Sequence, residues 1–248
     1  MKTIAIIPSR YGSSRFPGKP LAGIAGKPMI QWVYENVSAA EGLDAVYVAT
    51  DDERIFNCVQ SFGGRALMTS VKHTCGTDRL AECADFLELA DEDIVLNIQG
   101  DEPLIQPQMI RDLCDIFEDK SVDMGTLSKR IELEEELDDP SVVKVVSDVK
   151  GDALYFSRYC IPYERDGRKT AHYKHIGVYG YKVSFLKKLS AMPKTELELS
   201  ESLEQLRAME SGYRIRVKET IFDSIGVDTP EHIKMVEDEL ARRGVFHG

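Results

Sequence analysis

No apolar run in the 248-residue sequence approaches the ~18 residues that a membrane crossing needs. No charged-then-apolar signal pattern opens the chain either. The expectation is a soluble, cytoplasmic protein without a membrane partner. Cysteine is sparse: Cys58, Cys75, Cys83, Cys114 and Cys160 are odd in number, scattered, and form no Cys-x-x-Cys pair. That pattern argues against a disulfide framework and a zinc site, and predicts reduced, mostly buried thiols. Positive charge is in deficit, with 31 Lys and Arg against 42 Asp and Glu, a net charge of −11. A general nucleic-acid binder needs the opposite balance. Repeats, low-complexity tracts and a clear linker are missing too. The length fits one large α/β domain, with a less regular middle from about 129 to 200.

Against this acidic background the stretch "PSRYGSSRFPGKPL", Pro8 to Leu21, stands out. Arg10, Arg15 and Lys19 place three cations within ten residues, and Gly12 and Gly18 allow backbone amides to approach a ligand closely. The run before it, Thr3 to Ile7, is apolar and rich in β-branched residues, so it predicts a strand buried on both faces. Ligands of open α/β sheets sit beyond the carboxyl ends of such strands. The expected guest is a polyphosphate. The loop is not a Walker A motif: five residues rather than four separate Gly12 from Gly18, and Pro20 follows Lys19 where the motif needs Ser or Thr. The dinucleotide Gly-x-Gly-x-x-Gly pattern is absent from it as well.

Strands and helices alternate along the rest. Met29, Ile30, Val33 and Val37 have helical spacing, with Pro28 suited to the first helical position. Ala45 to Thr50 reads as a strand, Asp52 to Phe62 as a helix ended by Gly63 and Gly64, and Leu80 to Leu87 as another helix. Further strands are expected at 94–98, 124–127, 144–146, 154–157 and 176–181. One late helix is expected through Leu199, Leu203 and Leu206, and a last one through Ile233, Val236 and Leu240. The acidic run "ELEEELDD" reads as a solvated helix or loop. The alternation predicts a mostly parallel sheet flanked by helices.

Two acidic turns carry chemistry. In "NIQGDEPLI", Asp101 follows a buried strand within a Gly turn, a good position for a Mg²⁺ ligand beside a phosphate loop, although such an Asp alone also suits a turn. In "GVDTPEHI", Asp228 precedes Thr229, a candidate N-cap, and Pro230, a candidate first helical residue. Asp228 is either a helix-terminal residue or a second carboxylate on the same metal.

Together with "ATDD", "CGTDR", "ALYFSR", "KHIGVYGY" and "SLEQLR", these motifs occur in an order that resembles the 3-deoxy-manno-octulosonate (Kdo) cytidylyltransferases, over nearly the whole chain. The resemblance implies a Rossmann-like mixed sheet of the nucleotide-diphospho-sugar transferase type, usually in a homodimer. It implies transfer of a cytidylyl group from CTP to Kdo, releasing pyrophosphate, for lipopolysaccharide or capsule synthesis. By position, Arg10, Ser13, Arg15 and Lys19 would hold CTP, with Arg15 and Lys19 toward the phosphates. Cys75, Gly76, Thr77 and Arg79 would lie in the segment that recognises cytosine, and Gln99 beside the reacting groups. Asp101 and Asp228 would carry Mg²⁺. Arg165, His175, Tyr179, Glu204 and Gln205 would face the sugar. Cys75 departs from the Ser common in the family, and a thiol is a weak hydrogen-bond partner. Without the resemblance, His175 reads as a structural histidine, Tyr179 as core, and Glu204 and Gln205 as a solvated helix face. Competing readings are a sister cytidylyltransferase for another 2-keto sugar acid, 8-amino-Kdo or sialic-type, and a non-catalytic nucleotide-binding domain.

Overall fold

A computed structural model describes residues 1–12, 16–73, 75–167 and 169–245. The first half is a repeating strand–helix pattern: β1 (Thr3–Ser9), a short hairpin of β2 (Gly23–Ile24) and β3 (Lys27–Pro28), α1 (Met29–Ser38), β4 (Ala45–Thr50), α2 (Glu53–Ser61), β5 (Ala66–Met68), α3 (Gly76–Phe86), β6 (Ile94–Asn97) and α4 (Pro107–Asp115). The second half adds β7 (Met124–Arg130), α5 (Glu135–Asp138), β8 (Lys144–Ser147), β9 (Ala153–Ser157), β10 (Tyr173–Lys182), α6 (Val183–Ala191), α7 (Glu196–Glu201), α8 (Gln205–Glu210), β11 (Arg216–Glu219) and α9 (Glu231–Arg242).

Seven strands form the main sheet in the order β11-β7-β10-β6-β1-β4-β5, with β8 and β9 as a side ribbon on β10. Every junction on that path is parallel except the two that flank β10. The sheet is therefore mixed and mostly parallel, and the middle of the chain supplies its antiparallel member. Alternate residues of β1 bury toward opposite layers. Ala5 and Ile7 pack with α1, α2 and α4, while Ile4 and Ile6 pack with α3, α6 and α8. Strand order reverses around β1: the chain runs out to β4 and β5, then returns to β6 on the other side. The carboxyl ends of β1 and β6 thus form the switch point where such sheets bind ligands.

Three boundaries differ from the sequence reading. Pro28 caps α1 instead of opening it, and α9 begins one residue late, with Pro230 at its cap. The expected single late helix is two helices, α7 and α8, because Ser202 adopts a left-handed conformation (φ 52°). Leu203 and Leu206 are buried while Leu199 is exposed. A buried bidentate ion pair, Glu198 to Arg207 at 2.5 and 2.7 Å, ties the two pieces together. The thiols also differ: all five are free, but only Cys83 is buried and the others are half-buried.

Strand β10 carries a bulge between Ile176 and Tyr179. The Thr126 hydroxyl fills it, donating to the Val178 carbonyl at 2.7 Å and lying 3.0 Å from Nε2 of His175. The imidazole also meets the Phe156 ring edge-on, with centroids 5.1 Å apart. Burial pushes the His175 pKa down to about 3 from an ordinary 6.5. As pH falls, the unfolded chain therefore takes up this proton before the folded one. The stability contribution is complete above about pH 6.5 and is lost as pH falls toward about 3. Urea midpoints at pH 7 and pH 4.5 should fall less in His175→Asn than in the unsubstituted protein; equal falls would contradict a half-buried imidazole held neutral.

Candidate active site

The cationic loop leaves β1 at Ser9 and is drawn closed by a hydrogen bond from the Gly18 amide to the Tyr11 carbonyl, 2.9 Å. Gly18 sits at φ 72°, where a side chain would be strained. It leads into a 3-10 turn, Lys19–Leu21, anchored by buried Pro20. That turn aims Lys19 at the other half of the switch point. There, β6 ends and Gln99 to Glu102 form a turn closed by the Glu102 amide and the Gln99 carbonyl. A Cβ at Gly100 would come within 2.6 Å of the Ser9 hydroxyl and 3.0 Å of the Pro8 carbonyl, so only glycine lets the two strand ends approach this closely.

Lys19 Nζ lies 2.5 Å from Oδ2 of Asp101 and 3.6 Å from Oδ1 of Asp228. Two carboxylates 127 positions apart in sequence thus share one ammonium group. Asp228 is delivered by the segment between β11 and α9, which docks through the Val227 amide on the Asp101 carbonyl, 2.9 Å, and through the fully buried Val227 side chain. Among the described residues no cluster of three or more His, Cys, Asp or Glu is arranged to hold a metal. Two hard oxygen donors around one cation are, however, the protein's usual share of a Mg²⁺ site completed by substrate phosphates. The donor set fits that ion, and the Lys19 ammonium already marks a position where positive charge is favoured. Beside Asp101, burial and then the Asp101 charge push the Glu102 carboxyl up to about 7.

Two clefts meet here. The first, about 430 Å³, is lined by Ser9, Arg10, Gly12, Lys19, Gly76, Arg79, Gln99 and Asp101. The N-terminus of α3 opens onto it at Gly76, which suits an anion or another hydrogen-bond acceptor. Cys75 stands at the cap of that helix, and burial pushes its thiol up to about 12, so it stays neutral. Arg79 is 1% exposed; it donates to Asp51 of the "ATDD" motif at 2.8 Å and also bonds Thr69. Its guanidinium is thus already held by protein groups at the wall of the cleft.

The second cleft, about 160 Å³, shares Pro8, Gly76 and Gln99 with the first and extends to Thr77, Asn97, Tyr179, Tyr181, Glu204 and Gln205. Gln99 stands at the junction, its amide donating to the Gly177 carbonyl in the β10 bulge at 3.1 Å. Glu204 accepts from the Thr77 hydroxyl, closing the wall between α3 and α8. Among the described residues, three buried polar atoms along the clefts have no protein partner: Ser9 Oγ, Asn97 Oδ1 and Gln205 Nε2. Such atoms are costly unless a ligand or water satisfies them.

The structure therefore gathers Arg10, Lys19, Gly76, Thr77, Arg79, Gln99, Asp101, Asp228, Tyr179, Glu204 and Gln205 around adjoining clefts, with Cys75 at the α3 cap. His175 lies behind Tyr179, the rings 5.2 Å apart, and lines neither cleft. Arg165 is exposed beside Asp166, 3.5 Å away, and also lines neither. Ser13 and Arg15 lie outside the described residues. Asn97 and Tyr181 were not anticipated. The signal for Asn97 was present: it is polar at the end of a buried apolar strand, two residues before Gln99 and so on the same face.

A cytidylyltransferase family model matches residues 4–220. A 3-deoxy-manno-octulosonate cytidylyltransferase of Syntrophus aciditrophicus is 53% identical over 244 residues, covering 98% of each chain. An 8-amino-3,8-dideoxy-manno-octulosonate cytidylyltransferase of Shewanella pealeana is 52% identical over 242 residues, covering 97% of this chain and 99% of its own. A solved CMP:2-keto-3-deoxy-manno-octonic acid synthetase in complex with CTP superposes with a TM-score of 0.92 at 45% identity, covering 98% of this chain and all of its own. With the matched region reaching from β1 to the segment after β11, the chain belongs to the cytidylyltransferase family.

Proposed function

We propose that this protein transfers the cytidylyl group of CTP to the anomeric hydroxyl of 3-deoxy-manno-octulosonate, forming CMP-Kdo and pyrophosphate in a soluble, cytoplasmic pathway to lipopolysaccharide or capsule. The observation that carries the reading is the meeting of Lys19, Asp101 and Asp228 at the mouth of two joined clefts, one cationic and one lined by hydroxyls and amides. The substrate names come from relatives that share half of this sequence. The 8-amino sugar acid is the second reading, favoured by equally similar relatives.

The hydroxyl oxygen attacks the α-phosphorus in line, and the bond to the β-phosphate breaks. Catalysis of such a transfer is mainly positioning and charge neutralisation. Arg10 and Lys19 would hold the triphosphate in the first cleft, with Lys19 against the leaving pyrophosphate. The α3 amides near Gly76 would meet the nucleoside, and Gln99 would stand between the two reactants. Tyr179, Glu204, Gln205 and Asn97 would orient the sugar, with His175 buttressing Tyr179. Asp101 and Asp228 would hold Mg²⁺, which when bound supplies positive charge to the phosphate oxygens and acidifies the attacking hydroxyl. A homodimer is also part of the reading. Leu154, Tyr159, Tyr163 and Leu199 are exposed, and Tyr159 lines a 600 Å³ cleft that would be a natural contact face.

Pyrophosphate release from CTP should require a keto sugar acid and a divalent cation, and UTP should be a far poorer donor because a cytosine site leaves uracil groups unpaired. Release with neither Kdo nor its 8-amino form would end the assignment. Asp101→Asn and Asp228→Asn should each raise the Mg²⁺ requirement and remove most activity. The double variant should be little worse than the worse single, because both act through one ion; multiplicative losses would separate their roles. Sedimentation equilibrium should give twice the 27.9 kDa chain mass, and Tyr159→Glu should give a monomer. A monomer in the unsubstituted protein would exclude the dimer.

A further inference from the structure

Two lysines stand directly opposite one another on neighbouring strands: Lys174 of β10 pairs in register with Lys129 of β7. Like charges in that position repel, and both side chains are largely buried, 11% and 16% exposed. Such a pair persists only if something neutralises it. Asp223 does so, with Oδ2 2.7 Å from Lys174 Nζ and 3.2 Å from Lys129 Nζ. Glu136 and Glu132, from the acidic run that read as solvated, complete the cluster on Lys174 and Lys129 respectively.

Asp223 belongs to the 220–228 connection, which has neither helix nor strand and ends on Asp228. Without a ladder of its own, this segment depends on a few anchors: the Thr220 amide on the Ser128 carbonyl at 2.8 Å, the half-buried Phe222, the Asp223 ion pairs, and Val227 at the Asp101 carbonyl. The Asp223 ion pairs are the charged anchor, midway between the last strand and the metal carboxylate. Burial works against the Asp223 charge, yet Lys174 and Lys129 hold its carboxyl below the usual range.

We propose that Asp223 is a positioning residue: the Lys129–Lys174 pair is a latch that fixes the 220–228 segment so that Asp228 faces Asp101 across one cation. The inference rests on reading Asp101 and Asp228 as the metal carboxylates. The latch also joins the metal segment to the strand that carries Tyr179. Asp223 touches no substrate in this scheme; it acts through the placement of Asp228.

The test is Mn²⁺ binding to the full-length protein with CTP present, followed by electron paramagnetic resonance, beside Mg²⁺-dependent turnover. Asp223→Asn should weaken Mn²⁺ binding and raise the half-saturating Mg²⁺ concentration, each on the order of tenfold or more, as for groups that orient metal ligands. Asp223→Glu, which keeps the charge, should recover most of the loss. Amide exchange at Val227 should speed up in the Asn variant. Glu41→Gln, which breaks an exposed ion pair with Arg111, should change none of these. If Asp223→Asn does not fold, Lys129→Gln removes one arm of the latch and should shift Mn²⁺ binding in the same direction. Unchanged Mn²⁺ affinity in the folded variant, whatever its melting temperature, would overturn the latch. If Asp228→Asn weakens Mn²⁺ binding and Asp223→Asn does not, the latch alone fails. If Asp228→Asn has no effect, the metal reading beneath it fails.

Discussion

Two carboxylates that face each other in a cleft at the edge of a sheet repel, and here the Lys19 ammonium between them offsets that repulsion. Much of the local architecture follows from this constraint. Asp101 comes from the turn after β6, Asp228 from the approach to α9, and Lys19 from the loop after β1. Three connections that are remote in sequence therefore converge within ion-pairing distance. The convergence explains why Gly100 must let two strand ends nearly touch, and why Val227 docks on the Asp101 carbonyl.

The second constraint is the interruption of β10. The bulge, held by Thr126 and met by the Gln99 amide, inserts two residues, so strand alternation is kept across it and Tyr179 lines the second cleft with Tyr181. Across the cleft, the Glu198–Arg207 pair holds two short helices in the geometry that delivers Glu204 and Gln205. Neither helix has the length to be stable alone, so the placement of these two residues depends on that buried pair and on Leu203 and Leu206 in the core.

The parts of the fold legible in the sequence are those set by burial alone. β1, β4 and β6 are continuous apolar runs because layers of helices cover both faces, and that pattern survives without knowledge of their partners. The site loops were legible because glycine, proline and charge concentrate where those strands end. What stayed hidden depends on pairing or on local conformation. Leu199, Leu203 and Leu206 satisfy one helical period, yet a left-handed Ser202 divides them, and nothing in the residue type announces it. The β10 bulge, and the facing of Lys129 and Lys174, exist only through the register with β7. Glu136 reads as solvated until its partner strand is known. Arg165 and His175, placed at the sugar by resemblance, stand outside the walls of both clefts.

The central claim is that Asp101 and Asp228 form a site for one cation at a time, which Lys19 fills in the free protein. Its most direct test is a Mn²⁺ titration of the nucleotide-free protein, followed by electron paramagnetic resonance, with and without Lys19→Met. Removing the competing ammonium leaves two carboxylates with one fewer cation between them, so Lys19→Met should bind Mn²⁺ more tightly than the unsubstituted chain. Equal or weaker binding by the variant would show that Lys19 does not occupy the cation position, and would contradict the account.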